Sequence, residues 1–219
     1  MKERPIIFSG PMVRAILEGR KTQTRRVFKK MHAGDGWAEQ VHPAAESGWI
    51  GWWGHTGDAA AFTKKRYKLG IPCPYGVPGD RLWVLEAWLP FDLDHVINGK
   101  RFAYKASPYC EESRKAFGYR WCPSIHMPRN VSRITLEITE VRVQRIQNIS
   151  AEDAIAEGIE WNRCGCEVCA YTSSPCPADA STLIEDFRDL WSSVHKAYGP
   201  HGWNANPWVW CVSFKRVDE

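Results

Sequence analysis

The residues with the most chemistry in them stand near the N-terminus. In EGRKTQTRR, residues 18–26, Lys21 precedes Thr24 by three positions. A threonine hydroxyl is a weak nucleophile until a base takes its proton. A lysine can be that base once desolvation lowers its pKa from about 10.4. The same stretch also reads as the basic start of a strand with solvated charges. In a regular strand, residues 21 and 24 would face opposite sides, so the catalytic reading requires a turn at Gly19–Thr22.

A second cluster is Cys164, Cys166, Cys169 and Cys176, within RCGCEVCAYTSSPC. Thiols this close can converge on one tetrahedral zinc, the geometry that soft thiolate ligands favour. With all four bound, no coordination position stays open and the metal is structural. Reactive or unpaired thiols are the alternative. Cys73, Cys110, Cys122 and Cys211 are scattered and read as small apolar fillers.

Other chemistries are absent from the sequence. No histidine has Glu two residues on, and neither Pro72-Cys73 nor Pro175-Cys176 leads to a second Cys three positions after the first. The zinc deaminase signature therefore fails. HExxH, GxSxG, the Walker loop and the dinucleotide fingerprint are also missing. The 219 residues carry 29 Lys and Arg against 25 Asp and Glu, a net +4 that permits an anionic partner without demanding one. The N-terminal MKERPIIFSGPM lacks the apolar stretch of a secretory signal, which points to a cytoplasmic setting where clustered thiols bind metal rather than forming disulfides. Twelve tryptophans can fill a core or stack on a planar ligand.

The elements that must position these residues are short. Residues 4–8 read as a strand entering a helix with Pro11 in its first turn and Gly19 as its stop, and 21–28 read as extended. Residues 29–78 are rich in Gly, Trp and Pro without periodicity, and read as an insertion or lid carrying Trp49, Trp52 and Trp53. RLWVLEAW and RFAYKA are strands. SRITLEITEVRVQRI alternates until its phase slips near Glu140, which predicts a bulge. Ser150 caps a short helix that Gly158 ends, and Leu183, Ile184, Phe187, Leu190, Trp191 and Val194 trace one face of a longer one. PWVWCVSFKRV closes the chain as a strand. The expected class is α+β, a small barrel-like domain over residues 1–219 with a Cys-rich loop at 161–180.

IIFSGPMVRAILEGRKTQTRR, GDRLWVLEAW, SRITLEITEVRVQRI with ISAEDAIAEGI, and NPWVWCVSFKRV resemble the ASCH domain family of the PUA-like superfamily. The likeness covers 4–28, 79–89, 131–159 and 207–217, and the longer form is similar to ASCH proteins of phages and prophages. It implies a small β-barrel flanked by helices. It also implies an amidohydrolase removing an acyl group from the exocyclic N4 of cytidine or a related nucleoside, as small bacterial members do. Thr24 would be the nucleophile, Lys21 the base, and Glu157 an orienting group acting through a water or on the substrate, since a close carboxylate would keep the lysine charged. Arg26 would bind substrate. On their own residues, Glu86 can hydrogen-bond a base edge or be a structural carboxylate, and Trp88 can stack a pyrimidine or fill a core. Other members of the family bind or cleave RNA, so an RNA-binding or ribonuclease role is the alternative.

Overall fold

Two long strands form the spine of the molecule. The computed structural model describes residues 1–28, 41–43, 49–54, 67–90, 102–107, 115, 118–161, 166, 175–196 and 199–217. Strand β9 (Thr135–Arg145) pairs antiparallel with β10 (Trp208–Val217) along its whole length. The register steps from Glu140 opposite Ser213 to Ile138 opposite Phe214, which leaves Thr139 as the extra residue of a bulge. That is the phase slip visible in the sequence.

Around this pair lie β1 (Glu3–Ile7), β2 (Gln23–Val27) and β6 (Arg81–Leu85), giving a five-stranded sheet of order β1-β6-β9-β10-β2. Only the β1–β6 pairing is parallel. Alternation along β10 sends Trp210, Val212 and Phe214 into one core with Ile6, Phe8, Leu82, Val84 and Ile138. Helix α1 (Gly10–Leu17) inserts Val13 and Ile16 into that core. Val209 and Cys211 point the other way, under α2 (Ala151–Ala156) and α3 (Pro177–Val194), whose Ala154, Leu183, Phe187 and Trp191 cover them.

The α+β class is as expected, but no closed barrel forms among the described residues. β1 and β2 are the two edges of an open sheet. The chain leaves β1 through α1 and returns as β2, and a side chain rather than a backbone ladder spans the gap: the Arg26 guanidinium donates to the Ile7 carbonyl at 2.6 Å. One-face alternation in short strands fixes which side is buried; it does not fix whether the edges meet.

Part of the segment read as loop is sheet. β3 (Val41–Pro43), β4 (Trp49–Gly54) and β5 (Tyr67–Pro72) pair antiparallel, with Trp49, Trp52 and Trp53 on β4. Gly51 faces Gly70 across that ladder, and such glycine pairs erase the alternation by which strands are recognised. Just beyond, Cys73 is buried and Tyr75 packs on the main core. A last pair, β7 (Trp88–Pro90) and β8 (Phe102–Tyr104), lies beside the sheet. No helix among the described residues is long and apolar enough to cross a membrane.

Candidate active site

The site is assembled where α1 hands the chain to β2. Gly19 takes a positive φ of 75°, which a side chain would resist, and lets the chain reverse. The amides of Arg20 and Lys21 both donate to the Ala15 carbonyl, and that of Thr22 donates to Ala156 at the end of α2. Regular strand begins only at Gln23. Lys21 is therefore outside the ladder, which removes the objection raised by the three-residue spacing. Its Nζ lies 5.8 Å from the centre of the Phe8 ring, and the Arg26 guanidinium lies 5.1 Å from the same ring. Thr24 and Arg26, two apart in β2, share a face, and that is the face Lys21 reaches.

Glu157 comes to Lys21 from the other side of the molecule. Ser150 Oγ accepts the Asp153 amide and opens α2; Glu157 closes the helix, and Gly158 follows with φ of 95°. Lys21 Nζ donates to the Glu157 carbonyl and to its Oε2, both at 2.7 Å. The expected water-mediated link is thus a direct ion pair. The reason is Arg25, whose guanidinium holds the other carboxylate oxygen at 3.1 Å and Asp153 at 2.6 Å. Lys21 shares its one carboxylate with a second buried cation, so its charge is only partly compensated. Burial pushes the Lys21 ammonium below its ordinary value, Glu157 opposes this, and Arg26 and Arg25 add to the depression; the net direction is down.

Asp153 anchors the outer part of this network. It also accepts from Arg142 and from Gln23 Nε2. Burial would raise its carboxyl pKa, but Arg25 and Arg142 outweigh that and hold it below the usual range. Arg26 is less well matched: burial lowers its pKa, and its Nε is buried without a hydrogen-bond partner among the described residues.

Thr24, Arg25, Arg26 and Glu157 line a cavity of about 50 Å³ with Met12 of α1 and Phe187, Leu190, Trp191, Val194 and His195 of α3 and its C-terminal cap. Val194 is 62% exposed, which puts the mouth at this end. Lys21 does not line the cavity; its side chain is wholly shielded from solvent and is bound to Glu157, which does.

Glu86 and Trp88 are placed elsewhere. Glu86 is buried and bound bidentately by Arg133 at 2.8 and 3.0 Å, so both oxygens are engaged. Arg133 itself stacks over Tyr104 at 4.1 Å. Trp88 packs edge-on against Phe102 at 5.8 Å and pairs through its backbone with Cys122. Neither residue lines the cavity.

Cys164 and Cys169 lie outside the described residues. Of the other two, Cys176 is the N-terminal cap of α3, its Sγ accepting the Asp179 amide at 3.5 Å. The described residues contain no group of three or more candidate metal ligands, so the proposed zinc turns on the two cysteines that are not described.

Reading from sequence missed Arg25, Asp153, Arg142 and His195. Arg25 was hidden as one more charge in a basic run. The available signal was its odd phase in β2, which directs it to the helix-covered face. Compared with protein-family models, curated proteins and solved structures, the chain matches none.

Proposed function

We propose that the protein is an amidohydrolase that removes a short acyl group from the exocyclic N4 of cytidine or a related nucleoside. The observation that carries this reading is the convergence of Thr24, Arg26 and Glu157 on one cavity, with Lys21 hydrogen-bonded directly to Glu157. A neutral lysine has two N–H donors and one lone pair. Glu157 offers two acceptors at 2.7 Å, one from its backbone and one from its carboxylate. With both donors engaged, the lone pair is the only part of the amine left to take a proton from Thr24 Oγ.

In this mechanism Thr24 Oγ attacks the acyl carbon as Lys21 accepts its proton. The developing oxyanion is met by the Arg26 guanidinium, whose Nε has no partner among the described residues. The C–N4 bond then breaks, and the proton held by Lys21 passes to the departing amine. Arg25 and Asp153 fix the carboxylate that orients the lysine.

The cavity supports a small acyl group. It is about a third of the ~150 Å³ that encloses a benzene ring, so the base and sugar must sit at the mouth. The test is turnover of N4-acetylcytidine, followed by ultraviolet absorbance, beside N4-benzoylcytidine. Turnover of the acetyl compound with a much poorer rate for the benzoyl one is expected. No turnover, combined with RNA affinity that falls steeply with salt, would favour the RNA-binding alternative.

A further inference from the structure

His195 is the one titratable side chain of the cavity that the mechanism above leaves unused. It follows the last turn of α3, where its amide donates to the Trp191 carbonyl, and its ring packs on the Trp191 ring with centroids 4.3 Å apart. That contact sets the plane of the imidazole. Neither ring nitrogen is hydrogen-bonded to a protein group among the described residues, and the residue is half-buried beside the exposed Val194. His195 therefore stands at the mouth, whereas Lys21 is shielded from solvent and bound to Glu157.

Hydrolysis through Thr24 has two halves, and their geometric needs differ. The first needs a base deep in the site, beside the nucleophile. The second needs a base where water arrives. Lys21 has no solvent contact and both its donors point at Glu157. Water reaching an acyl group on Thr24 from the mouth passes His195 instead.

We infer that His195 is the base that activates the water which clears the acyl group from Thr24, a role that rests on the amidohydrolase reading. Water loses one proton to the imidazole as its oxygen bonds to the acyl carbon. The tetrahedral intermediate then collapses, the bond from that carbon to Thr24 Oγ breaks, and the imidazolium returns its proton to Oγ. A carboxylic acid leaves, and the enzyme is regenerated without any other reactant.

The charges facing the ring agree with this. Arg25 and Arg26 come from β2, Glu157 from the end of α2, and His201 from the loop after α3. Burial lowers the His195 pKa first, and His201 and Arg26 lower it further, so the ring is neutral near pH 7 and free to accept a proton.

The experiment uses the full chain, N4-acetylcytidine, and the variants His195→Gln and His195→Ala. In His195→Gln, cytidine is expected to appear in a burst of one equivalent, followed by a steady state slower by about tenfold or more. Intact-protein mass spectrometry should show one added acetyl group, mapping to the peptide with Thr24. Added imidazole should restore the steady rate of His195→Ala, which a purely structural role would not allow. Wild-type turnover with no burst and no acetylated protein in either variant would overturn the role of His195 while leaving the amidohydrolase reading intact. Absence of wild-type turnover would overturn both.

Discussion

Lys21 shows how burial and pairing set opposite demands on one residue. Burial disfavours its ammonium form, and a carboxylate at 2.7 Å favours it. Burial prevails because Glu157 divides its charge between Lys21 and Arg25. Replacing Glu157 by Gln would leave Lys21 with no carboxylate partner and two guanidiniums nearby, so its pKa must fall further. In the proposed mechanism the neutral amine is the active form, so the acidic limb of kcat/KM for Glu157→Gln should move to lower pH, alongside a reduced maximum. A limb that stays in place or moves up would show that Lys21 is not the group that titrates. Lys21 and Thr24 stood out in the sequence as distinctive types three positions apart, whereas Glu157 came only from the resemblance to the ASCH family. The direct contact between Lys21 and Glu157 was not legible, because it depends on Arg25, and the partners of a buried arginine are set by tertiary packing.

At the level of elements, the site depends on two helix ends meeting. Gly19 ends α1 and Gly158 follows α2, and both take left-handed backbone. A β-carbon at Gly158 would lie 3.1 Å from Ala15 Cβ and 3.2 Å from Lys21 Cβ. Gly158→Ala therefore combines backbone strain with pressure on Lys21, the proposed base. A loss of about 1–2 kcal/mol in urea unfolding is expected, with a fall in kcat larger than that seen for an equally destabilising change far from the site. Equal effects on stability and activity would mean that Lys21 tolerates the shift. The caps, the bulge at Thr139 and the strand alternation were readable because they are local. Strands β3, β4 and β5 escaped notice because Gly51 and Gly70 interrupt the pattern. Openness of the sheet was also unreadable, since it depends on how the β1–α1–β2 connection fills the gap.

The molecule as a whole places its chemistry at one end of an open sheet, under a long helix whose start and finish have different tasks. The finish brings Trp191 and His195 to the cavity. The start is capped by Cys176, one of the four cysteines proposed to hold zinc. If that metal is present, elemental analysis should find one zinc per chain, and chelation should lower thermal stability while any protein still folded retains its turnover. Zinc-free protein of unchanged stability would refute the structural role. The central claim concerns Thr24 and is tested most directly by N4-acetylcytidine turnover in wild type and Thr24→Ala, with circular dichroism to establish that both are folded. Measurable turnover by wild type and its loss, by about a thousandfold or more, in a folded Thr24→Ala is the expected result. A folded Thr24→Ala that retains near-normal turnover would contradict it and assign the attack to water.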